Sequence, residues 1–116
     1  YLINKHILKR KINTRIIECK TIREKNGVAY STRNNRLSFN QLKIASGVYK
    51  YLKYEKKNKN FDLRKMKRNL FKLGVKKIDY LEIYNPKSLK KPKSKKEKIR
   101  FFIAYYLDKI RLIDNF

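Results

Sequence analysis

The hydrophobic period of this chain switches at Val75, and that switch limits the architectures open to it more than any other feature. Before Val75, apolar residues recur at helical spacing; after it, they alternate or cluster in short runs rich in β-formers. Ser38 and Gln41 form a capping box, and Leu42, Ala45, Tyr49 and Leu52 then share one face through about residue 55. The polar NKN at 58–60 breaks the pattern. Asp62 caps a second helix lined by Leu63, Met66, Leu70 and Leu73, and Gly74 ends it. Met66 reads as core filling. Beyond it, KIDYLEIYN, IRFFIAYYL and IRLIDNF read as three strands, the last two joined as a hairpin across Asp108 and Lys109. The predicted fold class is α+β: two helices and a three-stranded antiparallel sheet over residues 38–116.

The first 37 residues follow another plan. YLINKHILKRKI sets Leu2, Ile3 and Ile7 on one helical stripe, with the lone His6 on the helix surface. NTRIIEC, residues 13–19, is β-branched and predicts a buried strand that contains Cys19. Helix then strand is the tail of an α/β unit, and such a strand needs neighbours on both sides. The opening segment therefore reads as the tail of an α/β unit whose partner strands are not in these residues. A domain boundary is expected at residue 37.

Charge narrows the function classes less than its size suggests. Lys and Arg number 33 against 9 Asp and Glu, a formal +24, but 24 of the basic residues are Lys and they are spread along the whole chain. Abundant Lys, Asn, Ile and Tyr together are what an A/T-biased genome supplies without any partner. The rival reading is a small basic nucleic-acid-binding module, based on the charge and on aromatics interleaved with Lys in YKYLKYEKK. The Lys-rich stretch 85–98, with Pro86 and Pro92, is either a solvated loop tip or a docking patch for polyanions. One cysteine excludes an internal disulfide, no apolar run is long enough to span a bilayer, and a cytoplasmic location is expected. Paired carboxylates, a His and Cys pair and metal-ligand spacing are all missing from the sequence.

YSTRNNRLS, residues 30–38, places one Arg in a run of hydroxyl and amide residues, which suits either a polar loop or a cradle for phosphate oxygens. The flanking residues carry a resemblance. TIREKNGVAYSTRNNRLS, KIASGVYKYL, GVKKIDYLEIYNPKSLK and the terminal RLIDN resemble, in register, the C-terminal part of the pantoate-β-alanine ligase family, the pantothenate synthetases. Arg23, Glu24, Gly27, Ala29, Ser31, Arg33, Asn34, Leu37 and Ser38 match the family pattern; Thr32 replaces its usual Ser, and Tyr30 its usual Met or Leu.

The resemblance implies that the helix and strand of residues 1–19 are the last of a truncated Rossmann-like nucleotide-binding domain, which runs to residue 37 and includes a KMSKS-like loop that closes over ATP. Ser31, Thr32 and Arg33 would hold triphosphate oxygens, Arg33 in the catalytic role, and the backbone at Ile22 and Tyr30 would line the adenine and ribose side. It further implies two-step chemistry with ATP and Mg, using pantoate and β-alanine and passing through a pantoyl adenylate. The full-length enzyme would be a homodimer with no specific nucleic-acid partner and no membrane. The family's H-x-G-H and K-D-x-Q segments are not in these residues, so residues 1–116 alone are expected to be inactive.

Overall fold

A computed structural model describes residues 1–58, 61–94 and 97–116. Three helices, α1 (Leu2–Arg10), α2 (Phe39–Asn58) and α3 (Leu63–Lys72), precede three strands, β1 (Lys77–Tyr84), β2 (Arg100–Leu107) and β3 (Ile110–Asn115). The strands form one antiparallel sheet in the order β1-β2-β3. This is the predicted α+β arrangement.

The helix boundaries follow from their end groups. Ser38 N–H donates to Gln41 Oε1 at 2.8 Å, and Gln41 N–H donates back to Ser38 Oγ at 3.3 Å, so the capping box forms as read. The Asp62 carboxylate accepts from Arg64 and Lys65 N–H at 2.9 and 3.0 Å. These bonds hold its carboxyl below the ordinary range. At the other end of α3, Gly74 takes φ 107, with Gly74 N–H donating to the Phe71 carbonyl and Val75 N–H to that of Leu70. This pair of bonds is a Schellman ending, and buried Leu70 and Val75 supply its usual apolar contact. The break at 58–60 lies partly outside the described residues, as does the Lys-rich stretch 85–98.

The core lies between the helix pair and one face of the sheet. Leu52, Met66, Leu70, Leu81, Phe101, Ile103 and Leu107 are its largest fully buried side chains, together with Val48. β2 is the central strand and is buried along most of its length, which matches its dense apolar run. Asp79 sits at a register shift in β1, between Ile78 and Tyr80. Its carboxylate accepts from Arg111 Nε on β3 at 2.7 Å, across one face of the sheet. The β2–β3 hairpin turns through Asp108 at a left-handed φ of 50 and Lys109, without the Gly that such turns usually carry. Gln41 Nε2 donates to Asp108 Oδ2 at 2.6 Å and ties this turn to the start of α2.

Two expectations for the opening segment fail. Residues 13–19 form no strand, and Cys19 is exposed. A lone β-branched segment has no neighbouring strand to pair with inside these residues. Helix α1 forms but buries no residue, leaving Leu2, Ile3 and Leu8 about two-thirds or more exposed. Farther along, Val28 and Leu37 pack into the core with the sheet. Amide exchange is therefore expected to be fastest over residues 2–22, with Phe101 to Tyr105 slowest. Residues 14–19 exchanging as slowly as β2 would contradict this packing.

Candidate functional site

The loop after Ile22 is built by short-range bonds. Arg23 and Ala29 bridge as a two-residue ladder, with Tyr30 N–H donating to the Ile22 carbonyl at 3.0 Å and Glu24 N–H to that of Val28 at 2.9 Å. The turn closes through Gly27 N–H to the Glu24 carbonyl at 2.8 Å, and Asn26 Oδ1 accepts from Val28 N–H at 2.9 Å. Gly27 adopts φ 90, and its α-carbon faces the ring of Tyr49 so closely that a methyl group would overlap it. Only glycine satisfies both demands. Gly27→Ala is expected to cost about 2–4 kcal/mol in urea unfolding, combining left-handed strain with displacement of a packed ring. A loss below about 0.5 kcal/mol would contradict this account.

After the hairpin, Ser31 caps a 3-10 helix, Thr32–Arg36, with Ser31 Oγ accepting from Arg33 N–H at 3.2 Å. The capping bond uses a lone pair of the Ser31 oxygen and leaves its O–H hydrogen free to donate. Asn34 is buried. Its Nδ2 donates to Glu24 Oε1 at 2.5 Å and to the Ala29 carbonyl at 3.0 Å, which fixes the 3-10 helix against the hairpin. Thr32 and Arg33 are exposed, and no described residue pairs with the Arg33 guanidinium. Arg33, Ser31, Tyr30 and Asn34 line a recess of about 230 Å³ against Tyr105 and Asp114 of the sheet. Burial, with Asp114 nearby, pushes the Tyr105 phenol well above its ordinary value, so it stays neutral there.

Of the five predicted site residues, Tyr30, Ser31 and Arg33 meet at this recess, whereas Thr32 and Ile22 stand outside its lining. Ile22 and Tyr30 are both exposed, and their main chains face each other through the bond between them. Sequence reading gave no role to Arg23 or Asp114, which the fold brings together from 91 positions apart. The signal was present in the two family-like segments that contain them, but nothing in either segment says that they touch.

The aromatics that suggested nucleic-acid binding are mostly engaged. The Tyr49 ring lies 5.7 Å from that of Phe116, and the Tyr51 hydroxyl accepts from Asn69 Nδ2 at 3.0 Å. Among the described residues, no group of three His, Cys, Asp or Glu could hold a metal, and no helix is long and apolar enough to cross a membrane.

Comparison with known proteins gives these features a context. The chain superimposes on pantothenate synthetase from Thermus thermophilus with a TM-score of 0.77 at 23% identity, covering 98% of this chain and 44% of that one. It also matches the pantoate-β-alanine ligase from Francisella tularensis, solved in complex with β-γ ATP and β-alanine, with a TM-score of 0.71 and 30% identity over 99% of this chain and 38% of that one. The α+β fold is thus shared with these structures. In sequence, pantothenate synthetase from Flavobacterium psychrophilum is 34% identical across 98% of the chain, and the family model for pantoate-β-alanine ligase matches residues 1–116. The chain belongs to the pantoate-β-alanine ligase family. It spans 43% of the length of the Flavobacterium relative, in that protein's C-terminal portion.

Proposed function

We propose that these residues form the phosphate-gripping loop and the lid of an ATP-dependent ligase that joins pantoate to β-alanine. The pantoate carboxylate attacks the α-phosphorus of ATP, and the bond to the departing pyrophosphate breaks to leave pantoyl adenylate. The β-alanine amine then attacks the acyl carbon, AMP leaves, and the amine gives up a proton as the amide of pantothenate forms. Little of this needs a general acid or base from the protein; it needs charge stabilisation and alignment. The observation that carries the reading is Arg33, a guanidinium with no described partner, held beside the free O–H of Ser31 on a loop anchored at both ends. Thr32, exposed on the same turn, adds a second hydroxyl donor.

On this reading residues 1–22 belong to the edge of the nucleotide-binding domain, and the loop from Arg23 travels with the lid. The enzyme of the relatives' length is a cytoplasmic homodimer that uses Mg²⁺ with ATP. The residues in hand do not fit a magnesium site of their own, because Glu24 is bonded to Asn34 and Asp114 to Arg23, and magnesium favours free carboxylate oxygens.

The test is AMP formation from ATP, pantoate and β-alanine. An enzyme of the relatives' full length that carries these residues is expected to turn over, and residues 1–116 alone are not. Turnover by the 116 residues alone, or none by the longer enzyme, would refute the proposal.

A further inference from the structure

Arg23 makes more contacts to distant parts of the fold than a loop arginine needs. Its two terminal nitrogens bond both oxygens of Asp114 on β3, at 2.6 and 3.0 Å, in the bidentate fork that only Arg can make. The same nitrogens reach the Gly27 carbonyl in the hairpin turn and the Asn115 carbonyl at the end of β3, each at 3.1 Å. The guanidinium lies over two adjacent rings, 4.8 Å from the Tyr49 centroid and 5.1 Å from that of Phe116. The side chains of Arg23 and Asp114 are only 19% and 11% exposed, so water screens the pair weakly. The bonds to Asp114 and the nearby charge both raise the Arg23 pKa against the opposing effect of burial.

Asp114 also lines the recess that holds Arg33. Without Arg23, a carboxylate beside that recess would attract the Arg33 guanidinium and repel any phosphate brought to it. The pair therefore does two things at once: it latches the hairpin to the sheet, and it occupies the one carboxylate that lines the recess among the described residues.

We infer that Arg23 and Asp114 form a clasp that positions the phosphate-gripping loop on the sheet and keeps Arg33 free for its ligand. Both act as positioning residues, working through Arg33 and its loop. The inference rests on the phosphate reading of Arg33 for its catalytic half and on geometry alone for its latching half.

The latch is tested in the 116-residue chain by amide exchange. Asp114→Asn is expected to speed exchange at Val28, Asn34 and Leu37 by about tenfold or more, while Ile103 and Leu81 change by less than about threefold. Unchanged loop amides, or sheet amides accelerating by the same factor, would overturn the clasp. The positioning role is tested in an enzyme of the relatives' length by pantoate-dependent exchange of pyrophosphate with ATP. There, Asp114→Asn is expected to lower kcat about tenfold and leave KM for ATP within about threefold. Arg23→Lys, which keeps the charge and loses the fork, should fall between Asp114→Asn and the unaltered enzyme. Faster loop amides with an unaltered kcat would overturn positioning. Arg33→Ala separates the two readings: it should leave the loop amides as they are, and if it also leaves pyrophosphate exchange intact, the phosphate reading fails and the latch stands.

Discussion

Phe101→Ala is expected to remove about 3–5 kcal/mol from the stability of the chain, enough to leave a domain of this size near its unfolding threshold. Phe101 is fully buried on the central strand, and its ring meets that of Phe61 edge to face at 5.0 Å and 86°. Phe101 also exchanges both main-chain bonds with Phe116, so the strand cannot move inward to fill the space left by the ring. Leu52, Leu81 and Ile103, each about as deeply buried, sit in the same cluster and are close-packed, which limits their collapse. Urea unfolding followed by circular dichroism should show a lower midpoint with an unchanged slope. A loss under about 1 kcal/mol would mean that the sheet and helix pair are not packed as described.

The parts of this fold that were legible in the sequence are those fixed by local chemistry. Ser38 with Gln41, Asp62 and Gly74 each set a helix end by satisfying orphan backbone groups within a few residues, and all three act as read. The alternation after Val75 gave three strands because a sheet with one buried face demands that period. Residues 13–19 misled for the opposite reason: β-branched composition reports what a strand would bury, but not whether neighbours exist to bury it against. Cys19 followed the same error to the surface. The stripe of α2 was read nearly correctly, yet Val48 rather than Tyr49 faces the core, and Tyr49 instead cradles Arg23 and abuts Gly27.

The candidate site divides in the same way. Its hydroxyls and its arginine stand together in sequence, so a local reading finds them. Asn34 holds the loop through bonds to Glu24 and Ala29, and although both it and Glu24 stand in the family-like segment, their spacing of ten residues does not say that they touch. The Arg23–Asp114 contact depends on β3 returning beside the hairpin, a tertiary result that no spacing rule contains.

Under the proposed function Arg33 grips triphosphate oxygens, and the consequence is kinetic. Negative charge shifts onto the departing pyrophosphate during adenylation, so a preorganised guanidinium stabilises that transition state more than bound ATP. Arg33→Ala in an enzyme of the relatives' length should therefore slow adenylation by on the order of 10² to 10³ fold, with a smaller loss of nucleotide affinity. Arg33→Lys should recover only part of the rate, because an ammonium keeps the charge but cannot bridge two oxygens in one plane. The deciding measurement is pantoate-dependent ATP–pyrophosphate exchange in the Arg33→Ala enzyme, set beside its affinity for ATP. Exchange is expected to fall by about two to three orders of magnitude with affinity far less affected; exchange equal to that of the unaltered enzyme would contradict a phosphate-gripping Arg33.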